Sequence, residues 1–307
     1  MNEQVSNSLR SETPGFVADT GFTMVSGDIE IFKLLYEYRL LRREHISVLT
    51  GRDPKRVHRR LRKLFGLGYL SRIVLPQQKH IYAVGKAAQP VLVEEGTADP
   101  ELLDSRLRYH ELKPFFLNHE MAIVDFHVTL ALATRENVLR LVSWREGNAL
   151  YDSVTVRMKN ESAKLPIRPD AFFTIEDLRR PAGANHANFF LEADRATTRD
   201  HGRFMQKLRA YWHYLEQGLH ERKFAIKHFR VLTVTKTRER AKNLAKAASA
   251  VLPERARKYF LFTWSKNVSL EQPDAILDDV YINARTADRD RCYPLVSEPS
   301  LQFAGAE

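Results

Sequence analysis

Asp170, Glu192, Asp194 and Lys207 are the residues of this 307-residue sequence best suited to chemistry. Asp170 follows Pro169 and opens the run Ala171-Phe172-Phe173-Thr174-Ile175, while Glu192 and Asp194 interrupt a run of Phe189, Phe190 and Leu191. A bare carboxylate in a buried strand costs several kcal/mol unless a metal ion, an Arg or Lys, or a cluster of donors compensates it. Side chains alternate along a strand, so Asp170, Phe172 and Thr174 share one face of theirs, and Glu192 and Asp194 share one face of the next. If the two strands pair antiparallel across the loop from Leu178 to His186, the three acids can meet. Hard oxygen ligands of this kind suit Mg²⁺ or Mn²⁺, which would hold a scissile phosphate and an attacking water. Lys207 flanks the apolar face (Phe204, Leu208, Tyr211, Leu215) of the helix that follows. Its stem could reach the acids, orient or deprotonate water, and offset charge developing at phosphorus. A structural alternative stands beside this reading, in which Glu192 and Asp194 pair with Arg168, Arg195 or Arg199.

The elements that must position these residues begin well upstream. Residues 117–137 carry Leu117, Met121, Val124, Val128 and Ala131 at helical spacing, with His119 and Glu120 on the same helix. A strand is expected over 138–147 and a hairpin arm over 151–158, then the two acid-bearing strands and a helix over 199–217. Further strands are expected over 229–236 and 258–264, with a helix between them. Beyond about residue 270 the pattern is less regular and ends in a polar tail.

Ahead of this region lies a different kind of sequence. Residues 1–26 are polar and show no sustained period, so a flexible lead is expected. Helices follow at 28–41, with Asp28 as a cap, at 43–50, ended by Gly51, and from Asp53-Pro54 onward. The third helix buries Val57, Leu61 and Leu64 and carries Lys55, Arg56, Arg59, Arg60, Arg62 and Lys63 on its other faces. Two short strands around a Pro76-Gln77-Gln78-Lys79 turn complete the segment, and residues 88–116 read as a connector. Between Asp28 and Lys86 there are fourteen Lys and Arg against five acids, an excess of nine within a total net charge of +10. Such localisation fits a segment that faces a polyanion.

Three helices followed by a basic hairpin, over residues 27–87, resemble the winged helix-turn-helix family. That resemblance implies double-stranded DNA as partner, with Lys55, Arg56, Arg59, Arg60 and Arg62 in the major groove and Lys79 and His80 on the wing. A homodimer would follow if paired half-sites are read. Residues 117–270 resemble the PD-(D/E)xK nuclease superfamily, whose restriction-endonuclease-like core runs α-β-β-β-α-β. Pro169-Asp170 matches its PD, Glu192-Ala193-Asp194 falls on its (D/E)xK, and Asp194 stands where the lysine is usual. Some members carry that lysine on the next helix, where Lys207 lies. The resemblance therefore implies Asp170, Glu192 and Lys207 as catalytic residues and Asp170, Glu192 and Asp194 as ligands of Mg²⁺ or Mn²⁺. Taken together, the N-terminal module, His119-Glu120, Arg168-Pro169-Asp170-Ala171, the run from Leu191 to Thr198 and the Lys207/Tyr211 spacing resemble the replication-relaxation family of plasmids and other mobile elements. This implies an α/β protein acting in plasmid replication, relaxation or transfer, as a nickase or as an accessory factor to a relaxase or replication proteins. A winged-helix transcriptional regulator is the further alternative.

Other classes are disfavoured by composition. The single cysteine, Cys292, allows no internal disulfide and no cysteine-rich zinc site. The histidines show no HExxH spacing and no cluster of the kind that relaxases use with a nucleophilic tyrosine, so Tyr211 reads as core. No apolar run is long enough to span a membrane, no signal pattern opens the sequence, and a cytoplasmic location is expected. The C-terminal 271–307 is expected to be irregular.

Overall fold

The computed structural model describes residues 10–12, 21–74, 77–100, 103, 114–157, 162–194, 201–289 and 291–297. It is a mixed α/β structure with two compact units, residues 1–128 and 129–307.

The first unit is built on three helices and a small sheet: α1 (Ser26–Tyr38), β2 (Leu41–Arg42), α2 (Arg43–Thr50), α3 (Pro54–Gly66), β3 (Leu70–Val74), β4 (Ile81–Val84) and α4 (Gln89–Glu94). α3 starts where an Asp-Pro pair predicts it. The Asp53 side chain accepts from the backbone N–H of Lys55 and Arg56, both at 3.0 Å, and Pro54 takes the first turn, where its missing N–H has no cost. Gly51 closes α2 in the left-handed region at φ 65°. α1 begins two residues earlier than expected: Val25 is the cap, and Asp28 sits one turn in, accepting the Val25 N–H at 3.0 Å. β3 and β4 pair antiparallel, and β4 also pairs with β2. At Gly85 an added Cβ would lie 2.4 Å from the Gly68 carbonyl oxygen, so the chain returns from the hairpin by a backbone approach that only glycine permits. The expected featureless lead is corrected in part, because β1 (Arg10–Glu12) adds to the free edge of β3 in an antiparallel register.

α5 (Pro114–Ala133) starts three residues before the expected helix, and the boundary between the units falls inside it, between Val128 and Thr129. Its acids explain why. Asp125 accepts from Arg42 at 3.0 Å and from His45 Nε2 at 2.9 Å, and Glu120 pairs with Arg39 at 3.5 Å, so these turns are tied to α1 and α2. Within the expected connector, 88–116, residues 89–94 form α4, and residues 101, 102 and 104–113 lie outside the described residues.

The second unit centres on a six-stranded sheet formed by β5 (Leu139–Glu146), β8 (Ala171–Asp177), β9 (His186–Asp194), β10 (Arg230–Thr235), β11 (Phe260–Trp264) and β12 (Ile282–Asn283), in the order β12-β11-β10-β9-β8-β5. β5, β8 and β9 form an antiparallel meander; β9, β10 and β11 run parallel, and β12 returns antiparallel. A separate hairpin, β6 (Asp152–Arg157) with β7 (Ser162–Ile167), supplies the partner for the single arm read from sequence. Ile167 ends β7 and does not open the acid-bearing strand, because Arg168–Asp170 break the chain between the two.

Helices α6 (His201–Glu216), α7 (Leu219–Phe224), α8 (Arg238–Val251) and α9 (Glu254–Arg257) complete the unit. The core they share with the sheet contains Phe172, Phe190, Leu208, Tyr211, Val231, Leu244 and Phe262. Phe173 stacks on Phe189 at 4.8 Å between ring centroids, which is why both acid-bearing strands read as nearly continuous apolar runs. The segment after residue 270 is more ordered than expected: Tyr281 is fully buried and donates to the Ile276 carbonyl at 2.5 Å, and Ile276 and Leu295 are buried.

Candidate functional site

Basic residues of α3 fall into two groups. Lys55, Arg56, Arg59 and Arg62 are exposed, and among the described residues none has an acidic partner. Arg60 is different. Its Nε lies 2.6 Å from Asp28 Oδ1, its Nη2 also bonds Oδ2, and it reaches the Thr23 carbonyl at 3.1 Å. Asp28 is fully buried, so the pair neutralises a carboxylate that α1 would otherwise carry into the core. The hydrogen bond to Asp28 raises the Arg60 pKa above its ordinary value against the opposing effect of burial. Its expected role in the groove is thereby corrected to a structural one. The clue lay in the spacing, since Arg60 is three residues after Val57 and four before Leu64 and so borders the buried face.

On the hairpin side, Lys79 lies 3.3 Å from Glu44 of α2, and His80 packs edge-on to Tyr82 with centroids 6.5 Å apart. Burial pushes the Glu44 carboxyl up, but its backbone N–H, Arg43 and Lys79 outweigh this and hold it below the usual range. Pro76, the turn residue expected at the tip, lies outside the described residues.

In the second unit the antiparallel pairing of β8 with β9 brings the acids to one end of the sheet. Asp170 stands just before β8, donates its N–H to the Leu191 carbonyl at 3.0 Å, and accepts the Ala193 N–H at 2.7 Å on Oδ2. Between those two backbone bonds lies Glu192, which is buried and is held from α6 by Lys207 Nζ and by the Tyr211 hydroxyl at 2.5 Å. Asp170, Glu192 and Lys207 are therefore gathered as the sequence suggests, with Tyr211 added. Tyr211 is both core and ligand: fully buried, stacked on Phe190 at 5.6 Å, and bonded to the acid.

Asp194 is not part of that group. Arg240 Nε of α8 bonds it at 2.8 Å and Nη2 at 3.4 Å, so the expected third metal ligand serves an ion pair instead. The partner differs from those considered from sequence: Arg240 lies 46 residues away, on a helix that reads simply as amphipathic. Arg195 and Arg199 lie outside the described residues. Glu120 is held by Arg39 in the first unit.

Burial drives the Glu192 carboxyl up to about 7, with Lys207 opposing the rise and Asp170 adding to it. Burial works against the Lys207 ammonium, yet Glu192 and Asp170 together hold it above its ordinary value. The Lys207 side chain is 29% exposed and that of Glu192 is 5% exposed, so the group meets solvent at the lysine. Thr233 of β10 is level with Glu192 in the parallel register, and its hydroxyl is buried without a hydrogen-bond partner. The result is a carboxyl that ionises near neutrality beside a lysine ammonium, with a buried unpartnered hydroxyl level with it on β10, an arrangement able to take up a proton.

These two units define a mixed α/β protein in which unneutralised cations on one helix are joined in sequence to a buried acid–lysine group at a sheet end. Residues 32–228 match the replication-relaxation family model, and the chain belongs to that family. The match takes in α3, Asp170, Glu192 and Lys207 and stops ahead of β10. Comparisons with curated proteins and with solved structures give no match. Among the described residues, no helix is long and apolar enough to cross a membrane.

Proposed function

We propose that this protein binds the duplex DNA of a mobile element through the exposed face of α3, and nicks it at a centre formed by Asp170, Glu192 and Lys207. The observation that carries the reading is the set of Lys55, Arg56, Arg59 and Arg62, exposed on one helix with no acidic partner among the described residues. Cations left in this state gain most from phosphate, by displacing its counterions. The order of helix, short strand, two helices and antiparallel hairpin in the first unit supports a winged-helix reading, in which α3 enters the major groove. With Arg60 committed to Asp28, the groove-facing set narrows to Lys55, Arg56, Arg59 and Arg62, with Lys79 and His80 at the hairpin.

For the chemistry, the succession α5, β5, β8, β9, α6, β10 supports the nuclease-like α-β-β-β-α-β core. Asp170 and Glu192 fit Mg²⁺ or Mn²⁺, ions that take one or two carboxylates and fill their remaining positions with water and phosphate oxygen. The unpartnered Thr233 hydroxyl beside Glu192 suits a water in that shell. Asp194, closed by Arg240, does not fit. A bound ion would supply Lewis-acid stabilisation of the phosphate and lower the pKa of an attacking water. The chain's own contribution is separate: Lys207, at the solvent side, offsets negative charge as the phosphate is attacked, and Tyr211 fixes the Glu192 carboxyl in place.

Supercoiled plasmid incubated with the protein and Mg²⁺ or Mn²⁺ is expected to become nicked, whereas a D170A/E192A double variant binds DNA and leaves it intact. Wild-type protein that nicks no faster than the double variant would overturn the catalytic part and leave a non-catalytic accessory factor for relaxase or replication proteins. Loss of salt-sensitive gel shift in R56E/R59E/R62E tests the DNA-binding part independently.

A further inference from the structure

The end of the sheet opposite Glu192 carries a second charged feature. A cleft of about 400 Å³ opens there, between the loop after β8 and the starts of β9, β10 and β11. Strands rise about 3.3 Å per residue, so His186, at its rim, lies roughly 20 Å along β9 from Glu192. Arg180, Arg230, Lys258, His186 and His228 line this cleft, and Asp177 is its one acid among the described residues. That acid is already occupied, since Arg179 Nε bonds it at 2.8 Å and Arg180 Nε at 3.1 Å. No acid pairs with Arg230 or Lys258 among the described residues.

The two arginines are held by the same stretch of chain. Arg180 Nη2 donates to the Ser297 carbonyl at 2.8 Å, and Arg230 Nη1 donates to the Leu295 carbonyl at 3.1 Å. Arg180 is thus fixed by Asp177 and one backbone acceptor, while Arg230 is fixed by one backbone acceptor and keeps further N–H donors for another partner. Holding like charges together in a partly buried cleft is unfavourable, and burial followed by the charge of Arg180 lowers the Arg230 pKa from its ordinary value. A tetrahedral oxyanion in the cleft would offset the repulsion and take the remaining N–H donors of Arg230 and Arg180.

We infer that this cleft is a phosphate-binding site, with Arg180 and Arg230 gripping the phosphate and Lys258, His186 and His228 at its mouth. The volume exceeds what a phosphate alone fills and falls in the range of small-ligand pockets, so the phosphate arrives attached to a nucleotide or to the end of a DNA strand. The site shares no residue with the α3 face or with the Glu192 group, and residues 32–228 of the family match exclude Arg230 and Lys258.

Calorimetric titration of the full chain tests the inference, with inorganic phosphate, a deoxynucleoside monophosphate, and 5′-phosphorylated and 5′-hydroxyl oligonucleotides as probes. The oligonucleotide arms use the R56E/R59E/R62E background, so failure of DNA binding by α3 leaves the result readable. Phosphate-bearing probes are expected to bind, and R230Q to weaken them about tenfold or more, as loss of a charge-assisted hydrogen bond does. K258Q, at an exposed position, is expected to weaken them about threefold with the fold intact. Tighter binding of the monophosphate than of inorganic phosphate identifies a nucleotide, and tighter binding of the 5′-phosphorylated than of the 5′-hydroxyl oligonucleotide identifies a strand end. No heat from any phosphate-bearing probe, or equal affinity in wild type, R230Q and K258Q, would overturn the inference.

Discussion

Helix α3 and the acid-bearing end of the six-stranded sheet use the same kinds of side chain in opposite ways. On α3, Lys55, Arg56, Arg59 and Arg62 are exposed with no acidic partner among the described residues, whereas Arg60 is enlisted by the fold, through Asp28. In the second unit, Lys207 and Arg240 both meet acids of the sheet, at Glu192 and Asp194. Unpaired surface cations retain their long-range attraction and lose it only to salt, whereas paired, partly buried cations have exchanged reach for position. Net charge locates the first kind and is blind to the second, since each pair in the sheet unit sums to zero.

The largest test of this contrast is reversal of the free cations. R56E/R59E/R62E is expected to lower DNA affinity about a thousandfold at low salt and to flatten the salt dependence by a slope of about 3, with unfolding midpoints near wild type. An unchanged gel shift would remove the distinction. Next is Arg60, for which the opposite pattern is expected. R60A leaves Asp28 buried without its cation and should cost roughly 3 kcal/mol in denaturant unfolding, while DNA affinity per folded molecule falls far less than in the triple variant.

Glu192 comes third. Its folded pKa, about 7, lies above the ordinary 4.5, so its contribution to stability is fully present below 4.5 and is lost as pH rises through 7. Wild type should therefore lose roughly 3 kcal/mol relative to E192Q between those limits, as measured by urea unfolding across the range. A difference that does not vary with pH would mean that the carboxyl is ionised throughout. The smallest effect is expected at K79A, an exposed lysine paired with Glu44, which should change stability by less than about 1 kcal/mol.

Local features of the fold were legible in the sequence, and features that depend on distant partners were not. Asp53-Pro54, Gly51 and the period of Val57, Leu61 and Leu64 mark α2 and α3 because caps and amphipathic spacing act over a few residues. The antiparallel meeting of β8 with β9 was legible because a short loop joins them. β7 was missed because Lys164 and Pro166 break its apolar pattern. That β10 lies parallel beside β9, and that Arg240 then closes Asp194, follows from a crossover through α6 and α7 that leaves no trace in local spacing. Asp170, Glu192 and Lys207 were singled out by residue type and order, and the fold brings them to one end of the sheet. Tyr211 was read as core and turned out to hold the acid as well, because a buried tyrosine still needs a hydrogen-bond acceptor.

The position of β10 bears on how the protein can be cut. A fragment ending at residue 228, the limit of the family match, would keep Asp170, Glu192 and Lys207 yet strip β9 of its parallel neighbour. The row of N–H and C=O groups along Phe189, Phe190 and Leu191 would then form an open edge on one of the most apolar strands of the molecule, a template for pairing with other chains. The stretch matched to the family, taken alone, is thus a poor expression fragment, and insolubility of it would say nothing about its chemistry.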